Sequence, residues 1–239
     1  NCITQPFQKE DIMTKYNELP QLPKIEKNKL IILLNQNAVR DTNFIRSFEK
    51  TRDFYLFSIL LHNEIIRTKE NRAIDISIKE LQETYKIFRG ESKYDLMDFL
   101  NQINNEIFSF FILDKENEIL TYNIKPDYFD TNSNTFFVNV CLLKGLKINS
   151  QKIALYLMSM GPHAKYLHLS HIAKLLDIEE KSQKLKQKSA NTAIETLSKH
   201  NFIKDAMYVR KQKIFYFKME DIRVREIMKN IDDDFDFLQ

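Results

Sequence analysis

Charge of one sign, carried by the last two parts of a four-part pattern, constrains this chain more than any other feature. Within residues 150–218, two short segments with helical apolar spacing lead into a third rich in Lys, Asn, Gln and Thr, and an aromatic, basic hairpin closes the unit. The order reads helix, helix, helix, β-ribbon. Residues 181–218 contain ten Lys and Arg but only two acids, Glu195 and Asp205. A solvated helix face normally interleaves both signs. A helix and ribbon of one sign find their simplest partner in a phosphate backbone.

The formal charge of +3 over 239 residues hides this asymmetry. Residues 146–229 hold 17 Lys and Arg against 8 Asp and Glu, residues 1–145 hold 19 against 21, and the last ten residues hold four acids and no cation. The length leaves room for one large domain or two ordinary ones, and 43% apolar residues suffice for packed cores. Only three glycines are present, which argues against an α/β enzyme with phosphate-cradling loops. The two cysteines, Cys2 and Cys141, cannot make a disulfide framework, and Cys141, inside the apolar run 136–143, reads as a small buried hydrophobe. No window approaches about 18 uninterrupted apolar residues, so no membrane span is expected. Asn1-Cys2-Ile3 has neither the basic leader nor the apolar core of a signal peptide, and the missing initial Met suggests a trimmed chain. The expected setting is the cytoplasm, in association with a nucleoid or plasmid.

Residues 1–46 read as an N-terminal arm, with Pro6, Pro20 and Pro23 among polar residues and an ambiguous helix-or-strand segment at 29–39. A first unit spans 47–125. Ser47 is the expected N-cap of a helix to about Thr68, followed by a short strand at 73–76. Ser77 and Glu80 have capping-box spacing, Ser92 caps a helix to about Glu106, and the stretches 108–113 and 119–124 form a hairpin. A linker covers 126–149. The second unit, 150–219, repeats the order: a helix ended by Gly161-Pro162, a short extended piece at 166–169, a helix capped by Ser170, a third helix at 183–200, and a ribbon at 202–209 and 214–217. Residues 220–239 complete the chain as a helix and an acidic tail. The fold class expected is α+β and helix-rich, with two winged-helix domains in tandem, each a helix-turn-helix plus β-ribbon.

The third helix of the second unit divides as a recognition helix must. Lys184, Lys188 and Asn191 fall at i, i+4 and i+7, Gln187 and Thr192 flank them, and Ala190, Ile194 and Leu197 take the opposite face. Asn and Gln bond adenine edges in bidentate fashion, and Lys reaches guanine or phosphate. Ser189 and Thr192 are small enough to let the backbone approach. In the ribbon, Arg210, Lys211 and Lys213 form a basic tip suited to phosphates or a minor groove. Alternation along the strand turns Phe215 and Phe217 inward and Tyr216 outward. The first unit differs. Its third helix bears Asp95, Asp98 and Glu106 with only Lys93, and its hairpin turn is Asp114-Lys115-Glu116-Asn117-Glu118, acid where phosphate would have to sit. Protein contact, with a second copy or another partner, suits it better. There is no P-loop, Cys-x-x-Cys or His-Glu-x-x-His pattern. His163, His168 and His171 straddle a strand-to-helix junction rather than making a ligand set. No enzyme activity, cofactor or metal is expected.

Two such units joined through Phe136-Phe137-Val138-Asn139, Leu142-Leu143-Lys144 and Lys152-Ile153-Ala154-Leu155-Tyr156-Leu157 resemble plasmid replication initiators of the Rep type. Residues 77–81, Ser92-Lys93-Tyr94 and Ile103-Asn104-Asn105-Glu106-Ile107 add to the resemblance, which covers about 50–219. It implies that the second unit reads repeated origin sites in double-stranded DNA. It also implies that the first unit mediates homodimerisation or partial DNA contact, that the chain switches between monomer and dimer, and that host replication proteins are recruited. Two other readings stand beside it: a tandem winged-helix subunit of a kleisin-bound, chromosome-condensing complex, and a transcription regulator.

Overall fold

The computed structural model describes residues 30–67, 73–85, 92–103, 105–129, 134–161 and 166–219. In chain order the elements are β1 (Ile31–Asn35), α1 (Gln36–Arg40), α2 (Thr42–Arg46), α3 (Thr51–Arg67), β2 (Ile74–Ser77), α4 (Ile78–Tyr85), α5 (Lys93–Asn101), β3 (Phe108–Asp114) and β4 (Ile119–Ile124). They continue with β5 (Thr135–Asn139), α6 (Ile148–Ser159), β6 (Tyr166–His168), α7 (Leu169–Leu175), α8 (Gln183–Lys199), β7 (Ile203–Val209) and β8 (Ile214–Met219). The described residues divide into two compact units. Ile59–Lys125 lies in one, and Asn28–Ser58 joins Pro126–Gln239 in the other, so the division falls inside α3.

In the unit formed by Ile59–Lys125, the sheet order is β2–β4–β3, antiparallel throughout. The central strand β4 alternates: Leu120, Tyr122 and Ile124 are buried, while Ile119, Thr121 and Asn123 are half-buried. Polar side chains start the helices. Ser77 Oγ accepts the Glu80 N–H at 3.0 Å, as the capping-box spacing predicts, and Ser92 Oγ accepts the Asp95 N–H at 3.1 Å. Leu96, Met97, Phe99 and Leu100 face the core from α5. That helix stops at Asn101, short of the expected Glu106, and a single 3-10 turn, Asn105–Ile107, leads into β3.

The other unit contains two sheets. β1 pairs antiparallel with β5, Ile32 opposite Val138, and β6–β8–β7 form a second antiparallel sheet. The run α6, β6, α7, α8, β7, β8 follows the expected order, and its sheet has the same strand order, first–third–second, as β2–β4–β3. Gly161 follows α6 at φ +72°, a left-handed conformation that needs no Cβ.

Five further sequence expectations need correction, the first being the N-cap of α7, which is His168 rather than Ser170. Residues 30–46 are not an arm: Ile32, Leu33 and Leu34 are buried in β1, and α1 and α2 follow at once. Residues 126–149 are not simply a linker, because β5 is the strand that β1 pairs with. Local periodicity cannot reveal this pairing, since the two strands lie a hundred positions apart. Ser47 caps the end of α2, and α3 begins at Thr51, where the Asp53 carboxylate accepts the N–H groups of Glu49 (3.0 Å) and Lys50 (2.7 Å). Cys141 is exposed: the 3-10 turn Val140–Leu143 buries its first and last residues and turns the thiol outward. The expected structure of residues 1–29 and of 220–239 lies outside the described residues.

One buried acid ties a helix to the sheet of the Ile59–Lys125 unit. Glu64 of α3 is fully buried, and its carboxyl group accepts the backbone N–H of Ile124 at 2.9 Å and the Asn123 amide at 3.4 Å. Burial raises its pKa from 4.5 to about 8, with the Ile124 N–H acting in the opposite direction. The folded protein therefore keeps this proton until about pH 8, whereas the unfolded chain releases it near 4.5. Stability from this group is full below 4.5 and declines as pH rises towards 8. Over pH 5 to 9 the loss is about 4 kcal/mol. Thermal or urea denaturation across that range should show the decline in the parent protein and a flatter profile in Glu64→Gln, which gains stability at pH 9.

Candidate nucleic-acid interface

The helix α8 is held by its small and branched residues. Ala190, Ala193, Ile194 and Leu197 are buried. The alanines allow close approach, and Ser150 Oγ of α6 donates to the Ala193 carbonyl at 3.0 Å. The end of α8 is closed by the Phe202 N–H bonding to the Leu197 carbonyl at 2.8 Å, with Asn201 at φ +53°. The connection before α8 is tied down as well. The Arg46 guanidinium pairs with Asp177 and, at 3.6 Å, with Glu179. Lys152 beneath is buried. Desolvation lowers its pKa, and the Asp177 charge is the largest influence opposing that shift.

With the stripe turned inward, at about 100° per residue, the outward face of α8 follows. Lys184, Lys188 and Thr192 share it and are exposed. Asn191 and Gln187 border it on one side and Ser189 on the other, all three half-buried. The structure thus brings the two lysines and the threonine together. It puts the two amides at one margin and separates Ser189 from them. Thr192 Oγ1 donates back to the Lys188 carbonyl at 3.0 Å, which occupies the hydroxyl proton within the helix. Glu195 and Lys199 extend the face towards the C-terminus, so its purely cationic part is the N-terminal two turns.

Arg210, Lys211 and Lys213 are exposed in the four-residue turn between Val209 and Ile214, a register pair of β7 and β8. Lys213 has φ +55° and its carbonyl accepts the Leu169 N–H at 2.8 Å, which anchors the turn to the start of α7. Phe215 and Phe217 are buried and Tyr216 is exposed, as strand alternation predicts. Tyr216 Oη donates to Gln212 Oε1 at 3.1 Å within the turn. The corresponding turn of the β2–β4–β3 sheet is the electrostatic opposite. The Asp114 carboxylate accepts the Asn117 N–H (3.0 Å), the Asn117 amide (2.7 Å) and the Glu116 N–H (3.0 Å). These bonds, the Asn117 N–H foremost, lower its pKa and keep it ionised. Asp95 and Asp98 on α5 are exposed, and Lys93 pairs with Glu118. A polyanion is repelled there.

His168 ends β6 and His171 lies in α7, its ring tilted at 52° to that of Tyr156 with centroids 4.5 Å apart. Desolvation, then Lys174, lowers the His171 pKa and keeps the ring neutral. His163 lies outside the described residues. Among the described residues, no group of three or more His, Cys, Asp or Glu is arranged to hold a metal ion.

Two features escaped the sequence reading. Leu185, half-exposed on the outward face of α8, breaks the pattern of an inward apolar stripe and was findable from that alone. Tyr166, Tyr216 and Met207 lie in register across β6, β8 and β7, all exposed. The pairing of β6 with β8 creates that row, and no local signal announces it.

These elements define a class: a mixed helix and strand unit of three helices and a three-stranded antiparallel sheet, exposing a cationic helix face and a cationic turn. Comparison with solved structures shows the same fold in the Pi initiator protein, crystallised in complex with iteron DNA. The match has a TM-score of 0.50 at 12% identity and covers 82% of this chain and all of that one. No family model and no curated protein matches the sequence. Among the described residues, no helix is long and apolar enough to cross a membrane.

The close seat of α8 makes a packing prediction. Ala193→Leu should overfill the seat of α8 against α6 and lower stability by about 1–3 kcal/mol. A lower urea midpoint with an unchanged m-value would show it.

Proposed function

We propose that this protein is a non-catalytic, sequence-specific binder of double-stranded DNA that starts replication of a plasmid-type element by occupying repeated origin sites. The observation that carries the reading is the pairing of two exposed cationic features on one unit: Lys184 and Lys188 on α8, and Arg210, Lys211 and Lys213 in the β7–β8 turn. The fold shared with an initiator crystallised on iteron DNA supports it. In this reading the chain is two winged helices in tandem. α8 enters the major groove, where Lys184 and Lys188 reach guanine or phosphate, Asn191 and Gln187 meet adenine edges, and Thr192 with Ser189 allows close approach. The turn cations neutralise phosphates beside it. The acidic surface of Ile59–Lys125 is left for protein: a second copy of this chain, or host replication proteins. No catalytic group is required of the initiator itself.

Fluorescence anisotropy with a labelled 40-base-pair duplex of mixed sequence, repeated across salt, tests the reading. Affinity should fall steeply with salt, since each phosphate neutralised releases condensed counterions. Lys184→Glu combined with Lys188→Glu should weaken binding on the order of 100-fold or more at low salt and flatten the salt slope by about two. Affinity that does not respond to salt overturns the DNA assignment. Unaltered binding by the double variant moves the interface elsewhere.

A further inference from the structure

We propose that residues 232–238 dock on the outer face of the β6–β8–β7 sheet of their own chain and so compete with nucleic acid for the basic surface beside it. The competition rests on the DNA-binding reading; the docking does not. The face has two halves of matching chemistry. Its centre is the row Tyr166, Tyr216 and Met207, 52%, 37% and 61% exposed and paired in register across three strands, with the two tyrosine rings 6.1 Å apart. Contiguous exposed large side chains on a sheet mark a contact surface. Its margins are polar. Lys218 lies on one side of the row, paired with Asp205, and His168 lies on the other, towards Arg210, Lys211 and Lys213 in the turn. On the face itself Lys218 and Asp205 balance, and the positive charge beside it is that of the three cations in the turn.

Residues 232–238 carry the complementary pattern. Asp232, Asp233, Asp234 and Asp236 supply four negative charges and no cation, and Phe235, Phe237 and Leu238 supply apolar side chains between and after them. The tether suits the docking. β8 ends at Met219, so the chain leaves from the strand that carries Tyr216 and Lys218. The twelve residues from 220 to 231 span roughly 18 Å even at helical rise and about 40 Å extended, against about 10 Å across three strands. A tethered segment acts at high effective concentration, so weak contacts suffice. The outer face of β2–β4–β3 is unsuitable for the same segment, because it carries Asp75 and is flanked by the acidic Asp114 turn.

Three forms of the 239-residue chain separate docking from simple charge: the parent chain, a form with Asp232, Asp233, Asp234 and Asp236 each changed to Asn, and Phe235→Ala with Phe237→Ala. The Phe form keeps every charge. With the mixed-sequence duplex at low salt, both variants should bind about ten-fold more tightly than the parent. A labelled synthetic peptide of residues 229–239 should bind the Asn form, and Tyr166→Ala with Tyr216→Ala should weaken that binding at least ten-fold. If the Phe form binds DNA like the parent, only long-range charge is at work and the docking is overturned, as it is by a peptide that fails to bind or ignores the tyrosines. Self-association of the parent that both tail variants abolish in sedimentation assigns the segment to a second copy and overturns the intrachain form. Peptide binding with no DNA binding by any form leaves the docking standing and removes the DNA reading alone.

Discussion

The rotation of α8 about its own axis is the constraint on which the proposed interface depends. Ala190, Ala193, Ile194 and Leu197 are the only side chains of that helix buried outright, and they lie on one side. Once they are seated against the unit, every other position on the helix has a fixed direction, and Lys184, Lys188 and Thr192 must point to solvent. The two alanines matter as much as the branched residues. Larger side chains would hold the helix away from α6, where Ser150 Oγ bonds the Ala193 carbonyl. The same logic acts in β8: burying Phe215 and Phe217 obliges Tyr216 and Lys218 to face outward. Apolar packing chooses the surface that the charges then define.

Elements whose cause is local were legible in the sequence. Ser77 with Glu80 and Ser92 with Asp95 start helices through bonds made within one turn, and the hairpins declare themselves by alternation on either side of a polar turn. The division of α8 into apolar and cationic faces was legible for the same reason. Elements whose cause lies far along the chain were not. The run 30–34 is strand-like only because residues 135–139 lie opposite it. Cys141 sits in an apolar stretch, yet it faces out because a 3-10 turn advances about 120° per residue and buries its neighbours instead. Most of the candidate site was readable because one helix and one turn carry it. The Tyr166–Tyr216–Met207 row was not, because it exists only when three strands meet.

Charge distinguishes two pieces of like topology. The strand order first–third–second occurs in both three-stranded sheets, and both hairpin turns end on a non-glycine residue with positive φ, Glu118 in one and Lys213 in the other. At the first, the turn is acidic and self-bonded through Asp114; at the second it is cationic and anchored through the Lys213 carbonyl. A backbone of one design thus presents opposite potentials, one that repels a polyanion and one that attracts it.

The split composition of the unit that contains α8 governs how the chain can acquire its structure during synthesis. Asn35 and Thr135 are partners in β1 and β5, so their pairing closes a loop of about a hundred residues. All of Ile59–Lys125 lies within that loop and emerges from the ribosome before β5 exists. If it condenses first, the distance left to close is that between its own two ends, and the entropic penalty of the late pairing shrinks accordingly. Until then the apolar side chains Ile32, Leu33 and Leu34 have no strand to lie against. The nascent chain must shelter them through the interval in which the inserted portion is made.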